Sequence, residues 1–157
     1  MTYYIRIALI FSLFFLTLSC SRKIIPNTSL RKNSVNITIS SFLEKYRKAV
    51  ESRNIEEIMS LVSKNFIGDD HIKDSHYGYD NLKRKLEKTF SLIKKNRLGF
   101  HIQHVEQHAD RFHVHYYFSQ HALINYPSGE KWVTKESLNK MVLIKDKDGE
   151  LKIVSGI

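Results

Sequence analysis

A single cysteine, Cys20, stands in this chain of 157 residues, so no disulfide can form within it. There is also no apolar run long enough for a membrane helix. Residues 7–18 are uncharged but run into Ser19-Cys20-Ser21-Arg22-Lys23, short of the ~20 residues that cross a hydrocarbon core. Internal repeats and low-complexity tracts are absent, and no nucleic-acid recognition motif accompanies the basic balance. The stretch between Arg111 and Pro127 contains no carboxylate at all. These absences exclude disulfide stapling and a repeat array, and they weigh against a spanning helix and a nucleic-acid partner.

What is present begins with an amino-terminal signal. Arg6, an uncharged stretch over 7–18 and a small residue before Cys20 have the layout of a secretory leader. A lone thiol at the end of such a leader resembles the lipid-attachment cysteine of bacterial lipoproteins. Here the box reads Leu16-Thr17-Leu18-Ser19-Cys20, with Thr17 where leucine is usual. The resemblance implies cleavage before Cys20 and acyl chains on it, each buried CH₂ contributing about 0.8 kcal/mol to membrane attachment. The expected address is the cell envelope, at the periplasmic face or the outer membrane.

The net charge is +9, but Arg6 and then Arg22, Lys23, Arg31 and Lys32 supply five of it, leaving +4 over residues 36–157. The expected organisation is therefore a signal peptide over 1–20, a flexible basic tether over 21–35 and one domain over 36–157. A basic tether beside an anchor suits anionic headgroups, at about 1 kcal/mol per cation.

The domain reads as helices followed by strands. Ser41-Phe42-Leu43-Glu44 is a capping box that opens a stripe of Phe42, Leu43, Tyr46, Ala49 and Val50. Asn54, with Glu57 three residues on, opens a second helix. Leu82, Leu86, Phe90 and Ile93 mark a third, with Lys94 and Lys95 expected in its last turn. Then the period becomes two: Phe100 and Ile102 alternate with His101 and Gln103, and Phe112, Val114, Tyr116 and Phe118 with His113, His115, Tyr117 and Ser119. Turns are expected at 107–111, at Tyr126-Pro127-Ser128-Gly129 and at Asp146-Lys147-Asp148-Gly149. This order predicts an α+β fold with an antiparallel sheet.

Tyr46 in a first helix, Ser52-Arg53-Asn54 before a second ending in Ser63-Lys64-Asn65-Phe66, Gly78-Tyr79-Asp80 before a third, and a closing Asp148-Gly149-Glu150-Leu151-Lys152-Ile153-Val154 together resemble the nuclear transport factor 2-like superfamily. That resemblance covers about residues 40–157. It implies three helices packed on a strongly curved, cone-shaped sheet around an apolar pocket, often in a homodimer. It fixes no activity, because the fold hosts enzymes, ligand binders and scaffolds. The isomerases of the group use an aspartate base with a tyrosine and a protonated aspartate, a set that does not map onto this chain.

Candidate site residues fall into three groups. Tyr46, Phe66, Tyr79, Phe90, Tyr116 and Phe118, with Tyr77, are the aromatic supply for a pocket wall, where aromatics are more often simply core. His113 and His115 share a strand face and form a minimal pair of metal ligands, with His101 or His121 as a third and Asp69, Asp70 or His71 as more distant choices. Lining the polar or dimer-facing side of the sheet is their competing role. His104 and Glu106 follow Phe100 and Ile102 in phase, so an acid or base role beside Tyr116 is the catalytic reading, and exposure near the hairpin is its rival. Trp132 reads as buried packing or as an exposed anchor for a partner. Nothing in the sequence points to a cofactor. The primary expectation is a non-enzymatic module that binds a small apolar ligand or another protein. The alternative is an enzyme of the cyclase, isomerase or dehydratase kind.

Overall fold

The computed structural model describes residues 24–70 and 75–157, so the leader, Cys20 and His71 lie outside the described residues. Helix α1 (Ser34–Glu51) is followed by α2 (Ile55–Leu61), a small ribbon of β1 (Gly68–Asp70) and β2 (Ser75–Tyr77), and α3 (Tyr79–Leu92). Four strands then run in sequence: β3 (Ile93–His108), β4 (Arg111–Tyr126), β5 (Gly129–Lys145) and β6 (Leu151–Ser155). They form one antiparallel sheet in the order β3-β4-β5-β6. The fold is α+β, as the order of helical and strand periods predicted. Among the described residues no helix is long and apolar enough to cross a membrane.

Two helix boundaries differ from the expected ones. The N-cap of α1 is Asn33, whose side chain accepts from the Asn36 N–H at 2.7 Å, so Ser41 lies inside the helix. The helix starts earlier because Ile39 extends the buried stripe one turn upstream of Phe42, Leu43 and Tyr46. At the other boundary, Lys94 and Lys95 stand on β3 instead of in the last turn of α3. Ile93 leaves helical geometry (φ −91°, ψ 121°) and pairs with Ile124, so its burial belongs to the sheet. Asn54 caps α2 as expected, accepting from the Glu57 N–H at 3.1 Å.

The three expected turns are present. His108 pairs with Arg111, Tyr126 with Gly129 and Lys145 with Leu151. In the first, Ala109 adopts φ 53°, the left-handed geometry that a two-residue hairpin loop needs to follow strand twist.

Both edges of the sheet are covered. On the β6 side, the chain after α2 runs parallel to it, Ser63 N–H donating to Ile153 O at 2.8 Å and Ile67 N–H to Val154 O at 2.9 Å. On the β3 side, residues expected to be a loose tether are docked. Thr28 bridges to Ile102, Ser29 N–H donates to Ile102 O at 2.8 Å, and Ile25 and Leu30 close a small turn on each other. Leu30 is only 5 % exposed and joins the main core with Ile39, Phe42 and Ile102. The apolar Ile25 and Leu30 give this basic stretch something to bury, and the unpaired β3 edge gives its backbone partners.

A tether would tolerate loss of that leucine, whereas a docked core residue would not. Leu30→Ala is expected to lower unfolding stability by about 2 kcal/mol or more, read as a fall in the urea midpoint. An unchanged midpoint would show that residues 24–31 do not pack on the sheet.

Candidate functional site

The inner face of the sheet is built around Phe100. Its ring lies parallel to Tyr46 of α1 at 5.9 Å, meets Tyr116 edge-on at 5.0 Å and tilts against Phe118 at 6.1 Å. Phe66 and Tyr77 pack 6.0 Å apart, and Phe90 is buried in the same core. Aromatic pairs at these separations each contribute about 0.5–1.5 kcal/mol beyond their burial. Phe100 is absent from the sequence-derived wall residues, although its alternation with Ile102 had placed it on the inward face.

The hydroxyls at this face are tied to backbone. Tyr116 donates to Gly156 O at 3.3 Å and Tyr77 to Ile157 O at 3.5 Å. Tyr79 lies further round, donating to Met59 O at 3.2 Å with Lys64 Nζ 3.8 Å above its ring. Burial holds the Tyr46 hydroxyl far above the ordinary tyrosine range, with Tyr116 and Tyr77 adding to the effect. Burial raises Tyr116 as well, against a smaller opposing hydrogen bond with Asn139. Near neutral pH Tyr46 and Tyr116 stay protonated, so neither serves as a base.

The pairing of His104 with Tyr116 that the enzyme alternative needs does not form, because β3 carries an irregularity between Ile102 and His104. Ile102 pairs with Tyr116 and His104 with His115, which leaves Gln103 as an extra residue. Leu98 and Ile102 face inward before it, and Val105 does so after it. His104 and Glu106 are thereby carried to the outer face, the opposite side of the sheet from Tyr116.

On that outer face the histidines gather around one carboxylate. His104 and His115 stack with ring centroids 4.1 Å apart and planes within 9°. Glu106 Oε1 lies 3.1 Å from His104 Nε2 and 3.9 Å from His115 Nε2, while Glu106 Oε2 lies 3.4 Å from His108 Nε2. Hydrogen bonding from His104 and then His108 holds the Glu106 carboxyl below its ordinary range. Burial, then the neighbouring His104, pulls His115 below the usual histidine value and favours neutral imidazole.

His113, the expected partner of His115, sits on the same face but stands edge-on to His108 at 5.3 Å. The expected third ligands are engaged elsewhere, His101 Nε2 with Ser29 Oγ at 3.2 Å and His121 Nδ1 with Thr134 Oγ1 at 3.1 Å. Asp69 is exposed and pairs with His76 at 2.8 Å across the β1–β2 ribbon. Trp132 is 55 % exposed opposite Leu123, at the rim of a basic cleft of about 690 Å³ lined also by Arg53, Lys94, Lys95 and Arg97.

No protein-family model and no curated protein matches the chain. Solved structures do. A conserved protein of Planctomyces limnophilus superimposes with a TM-score of 0.70 at 8% identity, covering 80% of this chain and 94% of its own. ActVI-ORFA of Streptomyces coelicolor gives 0.64 at 15% identity, covering 79% and 95%. A candidate dehydratase of the NTF2-like family from Streptomyces avermitilis gives 0.63 at 14%, covering 76% and 91%. The chain has the nuclear transport factor 2-like cone fold. Identities this low carry the fold and leave the activity open.

If Phe100 closes the inner face, Phe100→Ala should cost about 3 kcal/mol of stability. Tyr46→Phe should stay within about 1 kcal/mol of wild type, since no described group bonds that hydroxyl. Urea denaturation checks both, and equal costs would contradict the packing described.

Proposed function

We propose that this protein is a non-catalytic interaction module, exported, anchored in a membrane through lipid on Cys20, and working through the outer face of its sheet. The observation that carries this reading is the contrast between the two faces. Inside, aromatic rings pack on one another and the Tyr116 and Tyr77 hydroxyls are spent on backbone carbonyls. Outside, Leu138 is 63 % and Trp132 55 % exposed, and Tyr117, which pairs with Leu138, is 40 % exposed. Tyr117 and Leu138, directly paired and exposed together, offer the contiguous apolar pair that a protein contact would cover. The partner proposed first is a second copy of the chain, docked sheet to sheet. A symmetric contact places each apolar patch against its own twin without demanding any other surface.

An enzyme reading loses its acid–base pair once His104 and Tyr116 lie on opposite sides of the sheet. The dehydratase title of one fold neighbour stays with that protein.

Two experiments test the proposal. The purified protein in detergent is expected to sediment as a dimer, and Leu138→Lys as a folded monomer whose urea midpoint, unlike that of the wild type, does not rise with protein concentration. A wild-type monomer at every concentration would remove self-association through this face. Separately, Cys20→Ser should move the protein from the membrane to the soluble fraction and remove acyl mass in mass spectrometry. Wild-type protein without acyl mass would end the anchoring proposal.

A further inference from the structure

Three side chains on the outer face have the chemistry of a metal centre that the interaction reading does not use. His104, Glu106 and His115 present ligand atoms that all lie within 4.8 Å of one another. Imidazole nitrogen and carboxylate oxygen bind Zn²⁺ at ~2.0–2.2 Å, so two ligands of one tetrahedral ion stand roughly 3.3–3.6 Å apart. The two separations from Glu106 Oε1, 3.1 and 3.9 Å, bracket that value.

A second observation concerns the ring nitrogen of His115. Its Nε2 is shielded from solvent and has no hydrogen-bond partner. An enclosed polar nitrogen without a partner costs about 1–3 kcal/mol and calls for a missing water or ion. Neutral imidazole offers a lone pair there once the proton sits on Nδ1. A water would satisfy that nitrogen alone. The carboxylate oxygen and the stacked second imidazole beside it make the place suited to a cation.

The backbone fixes the arrangement in advance. His104 and His115 are direct neighbours in the β3–β4 register, and the irregularity at Gln103 aims His104 and Glu106 to the same side. Glu106 divides its oxygens, Oε1 toward the two stacked rings and Oε2 toward His108. His108 thus orients the carboxylate in the way that outer partners orient metal ligands.

We infer that His104, Glu106 and His115 bind one divalent transition-metal ion of borderline softness, such as Zn²⁺, with solvent completing its coordination. Two imidazoles favour Zn²⁺, Cu²⁺ or Ni²⁺ over Mg²⁺ and Ca²⁺, which prefer all-oxygen sites. The inference does not depend on the proposed dimer, since all three ligands come from one chain.

The test uses untagged protein in detergent at neutral pH, titrated with Zn²⁺ against a chromogenic chelator, with Co²⁺ as a visible-absorption probe. One ion per chain is expected, unaffected by excess Mg²⁺ or Ca²⁺. His104→Ala, His115→Ala and Glu106→Gln should each weaken binding more than about a hundredfold, beyond the roughly 10–100-fold that loss of an outer partner typically costs. His101→Ala and His121→Ala should bind as wild type. His104→Gln and His115→Gln keep the side-chain bulk if an alanine variant fails to fold. Absence of saturable Zn²⁺ binding by wild type would overturn the inference, as would full binding by the His104, His115 double variant.

Discussion

Between Ile102 and His104 the ladder of β3 and β4 slips by one residue, and most of what distinguishes the two faces of the sheet follows from that slip. Side chains on a strand alternate strictly, so one extra residue exchanges the faces for everything beyond it. With the slip, Val105 packs on the core while His104 and Glu106 reach His115 outside. Without it, an imidazole and a carboxylate would stand on the inner face beside Val114 and Phe112. Burying that pair unsolvated would cost several kcal/mol. The same place receives the amino-terminal segment, since Ile102 is the residue to which Thr28 bridges and Ser29 donates.

This explains which parts of the fold were legible in the sequence and which were not. Helical stripes such as Leu82, Leu86 and Phe90, and the alternation of Phe112, Val114 and Tyr116, carry their own period and were read correctly. Turns announced by Asp-Gly or Pro-Ser-Gly were equally plain. A bulge leaves no such mark, because Phe100, Ile102, His104 and Glu106 keep a clean period of two in the sequence. The pattern therefore puts His104 on the inward face, whereas its expected exposure near the hairpin is what the structure shows. The docking of residues 24–31 was hidden for another reason. Its apolar content is Ile24, Ile25 and Leu30 among polar neighbours, and its stability comes from a sheet edge made by residues some seventy positions later.

The candidate site was legible as a set of residue types and illegible as a geometry. His115 was singled out for sharing a strand with His113, yet the group it joins comes from the neighbouring strand. Cross-strand register decides such clusters, and register depends on turn geometry and bulges acting over the whole hairpin. The sequence marks the aromatic residues of the wall without their order in space, and Phe100 takes its central place because α1 lays Tyr46 flat against it.

The docked segment has a consequence for reach. On the proposed anchoring, Cys20 and Ile25 are separated by four residues, and a fully extended chain spans at most about 3.6 Å per residue. Ile25, the first residue packed on the core, can thus stand no more than roughly 18 Å from the lipid attachment point, where a free fifteen-residue leash could span roughly 50 Å. On that proposal, a domain held so closely would sit against the bilayer surface. It could meet only what comes within its own height of the surface. Its encounters would then be governed by crowding and diffusion in the plane of the membrane, and very little by sampling of the volume beyond it.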